Sequence, residues 1–265
     1  MTPVYIEGVG VFAPGLVGWD QCVAVLTGRV PLGTEPPPRL APAILAPDVR
    51  RRTTDHIRLA LEVASAAVRH AGRDGAVLAS VFASSESDGA ITHNICEEVA
   101  KELPEVSPTR FHNSVNNAPA GYWCMAVGSQ MPSTSVAAFD ATFAAGLLEA
   151  YAQVITEGQD ILLVVHDTPL PEPLNRMRPM VASFGLALVL SAQASAHSLM
   201  KISLTVFSPD ARPSVLADPA LEALRLGNPA ARALPVLSAL AQRRATTLAL
   251  PYVGARLLGV TLEPA

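Results

Sequence analysis

Charge is scarce in this chain: 16% of its 265 residues are Asp, Glu, Lys or Arg, and the formal net charge is only −4. Partners of nucleic acid carry clustered basic surface, so the composition argues against a nucleic-acid partner. Cysteine is nearly absent. Cys22, Cys96 and Cys124 are odd in number and far apart, which provides neither a disulfide framework nor metal-ligand spacing. They read as small buried residues, and neither a metal nor a cofactor is expected. No apolar run reaches membrane length unbroken, and the opening MTPVYIEGVGVF has no basic stretch ahead of an apolar core. A soluble, cytoplasmic chain without a membrane partner is the expectation. GVGVFAPG lacks the Lys and Ser/Thr of a phosphate loop, and no G-x-S-x-G surrounds Ser84, Ser85 or Ser87.

What is present is apolar pattern. Half of the residues are hydrophobic, enough to bury the core of one large domain or two small ones. Periodicity and breakers predict strands over residues 4–11, 76–83, 134–139, 161–165, 182–190, 201–207, 246–250 and 256–262. Helices are predicted over 19–27, 54–71, 94–103, 219–226 and 229–243, and a further one is opened by Pro119 and carries Tyr122, Trp123 and Met125. Pro31, Pro36, Pro37, Pro38, Pro42 and Pro47 rule out regular structure between the first two helices, and residues 167–179 read as an irregular loop. Strands alternating with helices predict an α/β fold.

Two stretches carry the chemical interest. In PSTSVAAFDATFAAGLLEAYAQVITEG, residues 132–158, a strand meets a buried helix at Asp140. Asp140 is read either as an ordinary N-cap or as part of a nucleophile elbow, where a residue on a strained turn faces a pocket beside a helix N-terminus. In SPTRFHNSVNNAPAG, residues 107–121, Asn113, Asn116 and Asn117 can satisfy loose backbone groups at a turn, and small residues allow a close backbone approach. Trp123, Met125 and Met131 suit a core or an interface equally. Arg50, Arg51 and Arg52 form either a solvated helix approach or a site for an anion.

These stretches resemble β-ketoacyl synthases. The corner at residues 132–158, followed by Asp160 and the apolar run 161–165, is similar to the family's nucleophile corner, and counting back from Gly158 places the family's Cys at Ala141 or Asp140. VYIEGVGV and the helix ending at Gly28 resemble the family's opening. Phe111, Asn113, Asn116, Asn117, Ala118, Pro119, Ala120 and Gly121 resemble the stretch that lines its dimer interface, and ASFGLALVLS resembles a late strand of its first half. The resemblance implies a thiolase-like (ketosynthase-type) layered fold, shortened, with residues 1–200 as the ketosynthase-like half and 201–265 as a reduced C-terminal segment packed on the same domain.

The family's later motifs H-G-T-G-T and G-H-x-x-G-A-x-G are missing; His56, His70, His93, His112, His166 and His197 lack those surroundings. Without Cys and His, condensation has no nucleophile and no stabilising groups. The chain looks most like the short chain-length-factor-like subunits of aryl polyene pathways. That likeness implies a silent subunit in a heterodimer with an active β-ketoacyl synthase, served by an acyl carrier protein with a phosphopantetheine-linked acyl chain. The strand at 134–139 would pair across the interface, and Phe111, Phe139 and Phe143 would set the tunnel depth or pack in the core; Asn116, Asn117 and Trp123 complete the tunnel and interface candidates. Two alternatives stand beside this reading. One is an acyltransferase or thioesterase using Asp140 or a loop serine with His112. The other is a homodimeric scaffold that binds acyl carriers.

Overall fold

The computed structural model describes residues 3–207 and 212–265; Met1 and Thr2, where the N-terminal stretch begins, lie outside the described residues. In chain order, β1 (Val4–Ala13) turns into the short β2 (Leu16–Val17), then α1 (Trp19–Leu26), the proline-rich loop, α2 (Pro47–Arg52) and α3 (Asp55–Ala71). β3 (Ala79–Ala83), α4 (Gly89–Val99), α5 (Pro108–Asn113), α6 (Ala118–Val127) and β4 (Ser133–Val136) follow. Then come α7 (Thr142–Glu157), β5 (Ile161–Asp167), the one-turn α8 (Leu174–Met177), β6 (Phe184–Ser191) and β7 (Met200–Phe207). The chain closes with α9 (Pro219–Leu226), α10 (Leu234–Gln242), β8 (Thr246–Pro251) and β9 (Leu257–Pro264).

The strands form one mixed sheet in the order β4-β3-β5-β6-β1-β7-β9-β8, with β2 beside β1. β3 runs parallel to β4 and β5, while β6 is antiparallel to both β5 and β1. Parallel neighbours need helical crossovers, which α4 to α6 and α7 supply. Both faces are covered, so the central strands are apolar along most of their length. Along β5, Ile161, Leu163 and Val165 face a layer that includes α1, α7 and α10, while Leu162 and Val164 face α3 and α6.

Several elements differ from their sequence expectation for local reasons. The strand expected at 76–83 is split, because Asp74 accepts a hydrogen bond from the Ala76 N–H and closes a 3₁₀ turn at Gly75–Val77. Asp88 caps α4 through the Ile91 N–H, so that helix spans Gly89–Val99 rather than 94–103. The helix expected at 229–243 begins as a 3₁₀ turn, Ala230–Ala233, and Pro235 opens α10 where its missing N–H has no cost. Arg50, Arg51 and Arg52 sit on the short α2. The irregular stretch 167–179 holds α8, and Asp167 belongs to β5.

Helix α3 is the central strut. Thr54 caps it at its start, and it lies across β1, β6 and β5. Gly8 and Gly10 of β1 make that contact possible: a Cβ on Gly10 would stand 2.1 Å from the Val63 carbonyl oxygen, and one on Gly8 would stand 2.3 Å from that of Ala67. Beyond the far end of α3, Arg73 pairs with the buried Glu7 of β1 and with Asp160 at the foot of β5, 3.4 Å away. Because the obstructing atoms are backbone, Gly10→Ala is expected to cost the chain about 3 kcal/mol in urea or thermal unfolding. Gly121→Ala, on an exposed turn of α6 with open space around it, should leave the midpoint unchanged or slightly raised.

Candidate functional site

The C-terminal ends of the parallel strands β3, β4 and β5 lie together, the place where open α/β sheets bind ligands. At this end the chain leaves β4, makes a 3₁₀ turn at Phe139–Ala141 and enters α7. Phe139 is the strained residue of the corner, with φ 52, a region that a β-carbon disfavours. The corner is closed by Thr142, whose Oγ1 accepts from the Ala138 N–H at 3.0 Å and donates to the Phe139 carbonyl at 2.6 Å.

Asp140 is not the N-cap of α7. The inserted 3₁₀ turn moves the cap position to Ala141, which offers no side-chain bond. The Asp140 carboxylate instead lies 3.2 Å from the Arg178 guanidinium and 3.9 Å from that of Arg232. Arg178 also pairs with Glu86, in the loop after β3, and stacks over the Phe139 ring with Cζ 3.4 Å from its centroid. A cavity of about 230 Å³ opens here, lined by Phe139, Asp140, Met177, Arg178, Met180 and Leu226 among others.

Below the corner, Asp167 ends β5 and is fully buried. One of its oxygens accepts from the Ser84 hydroxyl at 3.0 Å, the Ser85 N–H at 2.8 Å and the Ser85 hydroxyl at 2.9 Å. Burial pushes its pKa up to about 6 against the opposing pull of these donors and of Arg178. On the opposite face of the sheet the rings of His56 and His166 pack at a tilt of 43° with centroids 4.4 Å apart. Burial lowers His56 to about 4, with Asp88 acting the other way, and burial together with His56 holds His166 well below the imidazole range. Both rings are therefore neutral at pH 7.

Ser84 and Ser85 thus donate to a carboxylate, Ser87 donates to the Asn116 amide oxygen at 2.6 Å, and His112 lies elsewhere, on α5, edge-on to Tyr122. No hydrogen bond among the described residues joins His112 to a serine or to Asp140, so the structure does not assemble the arrangement a serine hydrolase needs. The tunnel and interface candidates separate into two groups. Phe111, Asn116, Asn117 and Phe139 are exposed. Trp123 is 1% exposed and packs over Gly75 in the α3–α6 core, and Phe143 is buried in the α7 core. Asn113, rather than Asn116 or Asn117, satisfies the buried turn: its amide donates to the Arg52 carbonyl at 2.9 Å and accepts from the Tyr122 hydroxyl at 3.0 Å. Sequence reasoning missed Arg178, Asp167 and the His56–His166 pair. A polar pair closing the apolar run ILLVVHD was the available signal for the last two; nothing local marked Arg178.

The sequence matches the profile of the beta-ketoacyl synthase N-terminal domain over residues 19–245. The chain belongs to the β-ketoacyl synthase family. Its fold is the thiolase-like one of solved ketosynthase structures, as a shortened ketosynthase half. A chain of the ketosynthase ApeO in complex with its chain length factor ApeC, from Xenorhabdus doucetiae, matches with TM-score 0.73 at 20% identity, over 98% of this chain and 100% of that one. The ishigamide ketosynthase/chain length factor gives 0.73 at 13% identity, over 100% and 99%. A β-ketoacyl synthase from Burkholderia phymatum STM815 gives 0.61 at 13% identity, over 88% and 71%. No curated protein matches.

In this ketosynthase-family chain no thiol stands at the corner. Cys22 is buried on α1 with its pKa pushed up to about 12 by desolvation, Cys124 is on α6, and Cys96 is exposed on α4. Among the described residues no group of three His, Cys, Asp or Glu could hold a metal ion, and no helix is long and apolar enough to cross a membrane.

Two outcomes follow. Phe143→Ala should destabilise the chain by about 3–5 kcal/mol in chemical unfolding, the cost of a core cavity. Asp167 has a raised folded pKa, so its contribution is present at low pH and is lost as pH rises from the ordinary carboxylate range through about 6. Asp167→Asn keeps an acceptor oxygen and should gain on the native chain over that interval, by on the order of 3 kcal/mol. His56 and His166 have the opposite sign, and stability falls as pH drops below about 6.5 because the unfolded chain binds protons that the buried rings refuse. Unfolding midpoints measured from pH about 4 to 8 test this; a pH-independent difference between the Asn variant and the native chain contradicts it.

Proposed function

We propose that this chain is the non-catalytic, chain-length-factor-like partner of a β-ketoacyl synthase, with residues 201–265 as the reduced C-terminal segment packed on the same domain. The observation that carries the reading is the corner itself. Where the family's resemblance calls for a thiolate, at Ala141 or Asp140, this chain has no thiol, and Asp140 is held between Arg178 and Arg232. A carboxylate so held is a poor nucleophile and forms no thioester. The chemistry then belongs to the partner, which supplies Cys and His, while this chain stabilises it and shapes the acyl tunnel. Aryl polyene or a related polyketide or fatty-acid-type product is the expected setting, in the cytoplasm.

The partner surface follows from the sheet. Among the described residues β4 is paired on one side only, by β3, and an exposed edge is a template for another strand. Beside it α6, which touches β4, leaves Met125 exposed, and Phe111 and Val115 are exposed on the approach to α6. The carrier protein has a basic surface to meet: Arg39, Arg50, Arg51 and Arg58 line one groove, of about 290 Å³, and Arg52 and Arg110 share a neighbouring one. Acidic carrier surface and the phosphate of phosphopantetheine both suit arginine.

The Ser80 and Ser84 N–H groups donate to the carbonyls of Pro132 and Val136, so the even-numbered residues of β4 turn their backbone groups to β3 and Ser135 turns its own outward. Ser135→Pro removes an outward N–H without touching the β3 ladder. Co-expressed with the ketosynthase encoded nearest to it, the native chain should co-purify as a one-to-one complex. The Pro variant should bind at least about tenfold more weakly with its own unfolding midpoint little changed. A stable homodimer that ignores the ketosynthase would overturn the reading.

A further inference from the structure

At the other end of the sheet, where β3 and β5 begin and β6 ends, lies a cavity of about 370 Å³, larger than the one at the corner. Leu78 and Met131 line it together with Arg73, Gln159, Asp160 and the loop from Ser191 to Ser195. Among these residues Arg73 is the only cation, and it is held from behind by Glu7, whose side chain is fully buried. Its Nε donates to one Glu7 oxygen at 3.0 Å and a second guanidinium nitrogen pairs with the same atom, while the Ser195 hydroxyl bonds to the other oxygen. Asp160 is left with the remaining guanidinium nitrogen at 3.4 Å, longer than an ordinary hydrogen bond. Two carboxylates thus share one guanidinium. The end of α7 adds to the imbalance, because the C-terminal end of a helix carries partial negative charge that a cation stabilises. α3, which ends nearby, has Arg69 and His70 in its last turn, whereas α7 has no basic residue there and closes on Glu157. Beside it the buried Gln159 Oε1 is an acceptor with no hydrogen-bond partner among the described residues.

We propose that this cavity binds a small organic cation, an aliphatic amine with one or two primary ammonium groups, with Asp160 and the C-terminal end of α7 as its anionic side. An ammonium group has three N–H donors, and the cavity offers acceptors to match: the Asp160 carboxylate, the Gln159 and Gln193 amide oxygens and the Ser191 hydroxyl. Leu78 and Met131 suit the methylenes between two ammonium heads. A metal ion finds too few ligands, since among the described residues no three His, Cys, Asp or Glu side chains could hold one. An anion would meet Asp160 and a helix end of its own sign. The cavity lies at the opposite end of the sheet from Asp140, and its occupancy does not depend on the chain-length reading.

The test titrates putrescine into the full chain by calorimetry, with butanediol as the uncharged isostere. Saturable binding of the diamine and none of the diol is expected. Asp160→Asn keeps an acceptor oxygen but loses the charge, and should weaken binding about tenfold, the effect of losing one charge-assisted hydrogen bond. Gln193→Glu adds a carboxylate on an exposed part of the lining and should tighten binding about threefold, as an exposed ion pair does. Because it adds an interaction, it keeps the test decisive if Asp160→Asn does not fold. Glu102→Gln removes an exposed carboxylate that does not line the cavity and should leave binding unchanged. Equal weakening by Asp160→Asn and Glu102→Gln would be a general counter-ion effect on a chain of formal net charge −4, and it overturns the proposal. So does the absence of saturable binding at millimolar putrescine, or binding that Gln193→Glu does not tighten.

Discussion

The near-contact of α3 with β1 is the constraint on which the rest of the structure depends. Gly8 and Gly10 let the helix backbone approach the strand where any side chain would collide with the carbonyl oxygens of Ala67 and Val63. That approach fixes both ends of the molecule. At one end Arg73 is delivered to the buried Glu7 and to Asp160, and at the other His56, on the first turn of α3, is delivered to His166 at the top of β5. Raising α3 by the width of a methyl group would loosen the α3–sheet core and both polar contacts together, since interiors have little room to absorb such a shift.

At the corner after β4 a strained residue, a small-residue helix and the ends of three strands meet, and charge closes the site. Arg178 ties the loop after β3 to the turn after β4, and its positive charge reaches the buried Asp167 after β5. Half-buried ion pairs of this kind add little net stability; what they provide is a fixed geometry for the loop after β3 and the turn after β4. The fixed object is Phe139, and the open space beside it is lined by polar and apolar side chains alike.

The alternation of strands and helices was readable because the central strands are covered on both faces and the helices end at clear breakers, such as Gly158 with φ 67 after α7. Boundaries shifted where one side chain recruited a backbone N–H, as Asp74 and Asp88 do. The resemblance located the corner but not its geometry. Asp140 has the residue type of an N-cap, and only the 3₁₀ turn, which depends on Thr142 bonding to both Ala138 and Phe139, displaces it from that role. Arg178 was illegible because its partners are far away in sequence, in the loops at Glu86 and Asp140. Phe143 and Phe139 are indistinguishable by composition; one faces the core and the other the cavity because the 3₁₀ turn lies between them.

The most direct measurement of the central claim is intact-protein mass spectrometry of the complex after incubation with an acyl thioester. The account predicts a mass increase of one acyl group on the ketosynthase and none on this chain, since its corner offers no thiol and its carboxylate is held by two arginines. A stoichiometric acyl adduct on this chain, lost on Asp140→Asn or on substitution of Ser84 or Ser85, would contradict the account and make the chain an acyl-transferring enzyme in its own right.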